Sequence, residues 1–79
     1  MHTINVPQTY APHGYATAYR TLDGVIGGVQ QVIIRVERPY HWMPSRRWMT
    51  VYEGAIGTPE DRKAWRKARR LVDSENLES

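Results

Sequence analysis

Apolar residues recur along this chain with two different periods. Between Thr58 and Glu75 the spacing is helical: Ala64, Trp65, Ala68, Leu71 and Val72 fall on one stripe, and Arg62, Lys63, Arg66, Lys67, Arg69 and Arg70 surround it. Upstream the period is two. Tyr15–Leu22 alternates and is rich in Tyr and Thr, which suit a pleated strand. Val29–Glu37 sets Val32, Ile34 and Val36 on one face, read as the core side, and Gln31, Ile33, Arg35 and Glu37 on the other. In Trp48–Ile56, Met49, Val51 and Ala55 oppose Trp48, Thr50, Tyr52 and Ile56, and the pattern alone does not choose which set faces inward.

Punctuation between these runs completes the expected architecture. The glycines of Asp23–Gly28 read as a hairpin turn, because their spacing matches no phosphate-binding loop. Arg38–Arg47 holds two prolines, which a regular central strand excludes, so it reads as a long connection. Thr58 is placed to cap the helix, Pro59 suits its first position, and Glu60 and Asp61 put negative charge at the positive end of the macrodipole. Asp73, Ser74 and Asn76 are weak helix formers, which predicts fraying after Val72. The prediction is an α+β fold: a three-stranded antiparallel meander with one C-terminal helix packed on one face. An irregular N-terminal arm (1–14) precedes a single β-β-β-α domain (15–75), and a polar tail (76–79) follows.

Composition narrows the chemistry. Seventy-nine residues give one small core, and with three Trp, five Tyr and no Phe that core draws on amphipathic aromatics, Trp65 foremost as the expected anchor of the helix. The absence of Cys excludes disulfides, thiolate nucleophiles and Cys-ligated zinc. The three histidines lack metal-ligand spacing, the carboxylates are scattered among turns and helix ends, and Ser45 has no neighbouring base. No catalytic residue, metal or cofactor is therefore expected. The start of the chain has no apolar leader and no run long enough to span a membrane, which predicts a soluble, cytoplasmic protein.

A formal net charge of +3, with six of eleven basic residues in the helix run, favours anionic partners. The leading expectation is nucleic acid, DNA rather than RNA. Arg46, Arg47 and the helix bases Arg62, Lys63, Arg66, Lys67, Arg69 and Arg70 would take phosphates, while Arg35, Trp48 and Tyr52 would stack on or read bases from an open sheet face. The aromatic connection with Tyr40 and Trp42 suits a macromolecular contact as well. One alternative is a protein-binding inhibitor or adaptor of phage or mobile-element type, acting on an acidic surface of a larger host complex. A second is a structural subunit that self-associates, as a homodimer for example, through an unpaired edge strand.

The stretch from Arg47 to Ala68 loosely resembles the last strand and helix start of two DNA-reading families, the plant ethylene-response-factor domains and the arm-site binding domains of phage integrases. The likeness rests on Gly54, Thr58, Glu60, Asp61 and Trp65. It implies a sheet that enters the major groove with a helix behind it. The sequence departs from that pattern in offering Arg35 and Glu37 on its middle strand and in concentrating its positive charge on the helix.

Overall fold

The computed structural model describes residues 6–13, 16–39 and 46–78, without the side chains of residues 39, 46–48 and 76–78. Four strands and one helix follow in order: β1 (Gln8–Tyr10), β2 (Thr17–Ile26), β3 (Val29–Pro39), β4 (Arg46–Ala55) and α1 (Pro59–Glu78). The sheet is an antiparallel meander in the order β1-β2-β3-β4. The expectation of three strands preceded by an irregular arm is thus corrected. Part of the arm is a strand, with Gln8 opposite Arg20 and Tyr10 opposite Ala18. Side chains hold it in place: Tyr10 packs against the core, and its hydroxyl donates to Asp73 at 2.8 Å. A three-residue strand gains its order from such tertiary contacts, so no periodicity announces it.

The β2–β3 hairpin is longer than its glycines suggest. Its turn is only Gly27–Gly28, both with positive φ (57° and 78°), as a two-residue turn matched to strand twist requires. Asp23 and Gly24, expected within the turn, form a bulge instead. Leu22 faces Val32 and Val25 faces Gln30, so both residues stand opposite Gln31 alone. Gly24 supplies the φ of 92°, and the Gln30 amide donates to its carbonyl at 2.7 Å. The strands therefore continue to Ile26 and Val29, and they carry the sheet outward in a molecule 43 Å long and 17 Å deep.

A second bulge settles which residues of β4 face inward. Ile34 pairs with Tyr52 and Arg35 with Thr50, which leaves Val51 unpaired between them. Alternation is broken there, and both Val51 and Tyr52 pack against the core. The two expected sets are thereby mixed. The strands also run further into the proline-bearing connection, with Arg38 opposite Arg47 and Pro39 opposite Arg46. Only residues 40–45 remain between them, outside the described residues.

The core joins one sheet face to one helix stripe. Ala16, Ala18, Ile34, Val36, Ala64, Ala68 and Val72 are buried together, with Tyr10, Val51, Tyr52, Trp65 and Leu71 around them. Val32, Ile34, Val36 and Val72 are completely buried, each contributing about 1.5–3 kcal/mol relative to exposure. Alanines in both layers let the helix lie close to the sheet. The expected inward set of β3 is found, and Trp65 packs against the core while remaining partly exposed. Helix α1 continues to Glu78, beyond the expected Thr58–Glu75 and through the stretch expected to fray, where Asp73 and Glu75 are tied to the sheet. Among the described residues no helix is long and apolar enough to cross a membrane.

Candidate functional site

Helix α1 is fixed at its start by a set of linked polar contacts. Thr58 caps it as expected, its hydroxyl accepting from the Asp61 amide at 3.1 Å. The Tyr52 hydroxyl touches the same Thr58 oxygen at 3.2 Å and donates to the Ala55 carbonyl at 3.0 Å. Asp61 reaches back to accept from the Gly57 amide at 2.8 Å. Its carboxylate, wholly buried, also accepts two hydrogen bonds from the Arg20 guanidinium, one of them from Nε at 3.0 Å, and Arg20 donates a third to Gln8 at 3.0 Å. Burial alone would raise the Asp61 pKa. The Arg20 hydrogen bond, the Gly57 amide and the charges of Arg20 and Arg62 outweigh it and hold the carboxyl below its ordinary value.

Near its other end the helix is held by two further contacts. Asp73 accepts from Tyr10, and Glu75 pairs with Arg38 of β3 at 3.0 Å. Three of the helix carboxylates, Asp61, Asp73 and Glu75, are thus engaged by the sheet. The bases point the other way: Arg62, Lys63, Arg66, Lys67, Arg69 and Arg70 are all exposed. Arg62 folds back to donate to the Gly57 carbonyl at 3.0 Å. Among the described residues the other five make no ion pair. Three of the helix acids are therefore engaged by sheet residues, whereas the bases, like Glu60, are exposed.

Between α1 and β4 this outward face opens into a groove of about 560 Å³. Val51 and Ala64 provide its apolar surface, and Lys63, Arg66, Lys67 and Arg70 surround them. The bulge in β4 is what turns Val51 toward the helix. A smaller recess of about 240 Å³ lies on the other flank, between Tyr10, Arg66, Arg69, Arg70 and Asp73. At helical rise, Lys63 and Arg70 are roughly 10 Å apart along the axis, so the cations form a row instead of converging on one atom. Such a row suits an extended anion.

The remaining expected site residues are dispersed. Arg35 is exposed on the sheet face away from the helix, where it lies between Tyr19 and Thr50. Tyr52 is on the helix side, packed and hydrogen-bonded, so it does not share a stacking face with Arg35. Trp48 stands opposite Glu37 in β4, and Arg46 and Arg47 begin that strand. Tyr40 and Trp42 lie outside the described residues. On the face away from the helix Ile33 and Glu37 are nonetheless buried, under 10% exposed, within the central strand.

Sequence reasoning missed Arg20 as a buried partner and Val51 as part of the groove. For Arg20 a signal existed, since it is in phase with Ala16 and Ala18, and Asp61 likewise falls in phase with Ala64, Ala68 and Val72. The position of Val51 depends on a bulge that no residue type marks.

No protein-family model, no curated protein and no solved structure matches the chain. The resemblance of Arg47–Ala68 to DNA-reading sheets therefore stays a local likeness, and the four-stranded sheet differs from the three strands it implied.

Proposed function

We propose that the chain is a small non-enzymatic module that binds the phosphate backbone of nucleic acid, DNA in preference to RNA, through the outward face of α1 and the groove beside β4. The observation that carries this reading is a contrast on α1: Asp61, Asp73 and Glu75 are held by the sheet, and Lys63, Arg66, Lys67, Arg69 and Arg70 project outward without ion pairs among the described residues. Unpaired, solvated cations in a row release counterions when they meet a polyanion, and that release drives backbone binding. Among the described residues no base-reading group is gathered beside them, so the expected mode is largely independent of sequence.

Fluorescence anisotropy of labelled duplex DNA, single-stranded DNA and RNA, titrated at several salt concentrations, tests the proposal. Engagement of the four groove cations predicts a slope of log affinity on log salt of about −3 to −4 on duplex DNA. Arg66→Glu with Arg70→Glu should weaken binding to every sequence alike and flatten that slope. Absence of saturable binding at low salt would refute the reading and redirect the search to acidic protein surfaces.

A further inference from the structure

The far end of the β2–β3 hairpin is apolar and uncovered. Leu22 is 53% exposed, Val25 61%, Ile26 71% and Val29 46%, a cluster of aliphatic groups within eight residues. Asp23 is the one charged residue from Leu22 to Val29. Turn glycines and the bulge at Gly24 hold these side chains out on a ribbon instead of folding them onto the core. Register puts Leu22 and Val25 on one face of this ribbon and Ile26 and Val29, with Asp23, on the other, so the tip offers apolar surface on both faces. Exposed apolar surface of this kind suits a contact site.

The groove beside α1 has complementary chemistry. Its surface at Val51 and Ala64 is apolar, and Lys63, Arg66, Lys67 and Arg70 surround it. Its volume of about 560 Å³ lies within the range of about 300–1,000 Å³ typical of pockets that enclose a ligand. An apolar tip that carries one carboxylate meets an apolar floor ringed by cations. The two cannot meet within one molecule, because β2, β3 and β4 belong to one continuous sheet that fixes the tip away from the groove.

We propose that the β2–β3 tip of one copy docks into the α1–β4 groove of a second copy, with Ile26 and Val29 against Val51 and Ala64 and with Asp23, on the same face of the ribbon, among the groove cations. Since tip and groove are different surfaces, the contact is head-to-tail, and each added copy presents a fresh tip and a fresh groove. The patch is small, which places the association among weak, concentration-dependent contacts. The tip would occupy the same groove cations that are proposed to take phosphates, so tip and nucleic acid compete for one surface. The association is tested without nucleic acid, which keeps its failure distinguishable from failure of that reading.

The test is sedimentation velocity of the full chain over a wide concentration range, with circular dichroism to confirm folding of each variant. Wild type should gain mean mass as concentration rises. Ile26→Asn with Val29→Asn removes the docking face of the tip, and Lys67→Glu with Arg70→Glu reverses the groove, so each double variant alone should remain monomeric. Mixed in equal amounts they should form a dimer and nothing larger, because the mixture holds one intact tip and one intact groove. A wild type that is monomeric throughout, a groove variant that still associates, or a mixture that stays monomeric would each overturn the proposal.

Discussion

Arg20 and Asp61, forty-one residues apart in sequence, meet as a buried ion pair that joins the second strand to the first turn of the helix. The pair occupies positions where the pattern of β2 and of α1 would otherwise place apolar residues. Removal of one partner leaves an uncompensated charge in the core, which costs about 3–5 kcal/mol. Arg20→Met and Asp61→Asn should each lower stability on that scale in urea denaturation. Replacement of both by leucine should recover much of the loss but not all of it, because the Gly57 amide also donates to Asp61.

Acid should destabilise the fold through the same carboxylate. The Asp61 pKa is depressed in the folded state, so the unfolded chain binds the proton more readily. The stabilisation is complete above the unfolded carboxylate value of about 4 and is lost as pH falls through the lower folded value. Urea midpoints measured from pH 6 downward should fall more steeply for wild type than for Asp61→Asn.

Tyr10 should titrate late. Its hydrogen bond to Asp73, reinforced by burial and by the carboxylate charge and opposed by Arg69, raises its pKa above the ordinary phenol value. The protonated phenol is the form that binds Asp73, so this contribution is present below the unfolded phenol pKa and disappears as pH rises through the folded one. In a spectroscopic tyrosine titration, Asp73→Asn should bring one phenol back toward the ordinary range.

Gly54 is required by its neighbour instead of by its backbone. A Cβ at this position would lie 2.7 Å from the Tyr52 hydroxyl and 2.9 Å from the ring carbon that bears it. That hydroxyl is held by Ala55 and Thr58, so the ring has no inexpensive way to retreat. Gly54→Ala should therefore destabilise by about 1–3 kcal/mol. Thermal melts of Gly54→Ala alone and combined with Tyr52→Phe check it, and the second should show a smaller effect of the glycine change.

Legibility from sequence follows whether a feature is periodic or contingent. The Thr58 cap, the helix stripe and the inward face of Val32, Ile34 and Val36 are written in residue type and spacing, and they were readable. The strand Gln8–Tyr10 is short and ordered by what Tyr10 and Gln8 reach across the sheet, which local sequence does not encode. Glycine type suggested a turn at Asp23–Gly28 without separating the bulge at Gly24 from the turn at Gly27. At the site, the six helix bases were visible as a run. That five of them project without ion pairs among the described residues became visible only with Tyr10, Arg20 and Arg38 in place, since these engage three of the helix acids from three different strands.

The extra residue at Val51 has a consequence for the rim of the sheet. Strand β4 is the last in the order, and its outer side pairs with nothing among the described residues. Unprotected rims recruit strands from other molecules and grow into insoluble stacks. An irregularity midway along this one interrupts the even ladder of amides and carbonyls and bends the strand, so an incoming chain finds no continuous template. The bulge that sets Val51 against the core thus also makes this edge a poor template for a further strand.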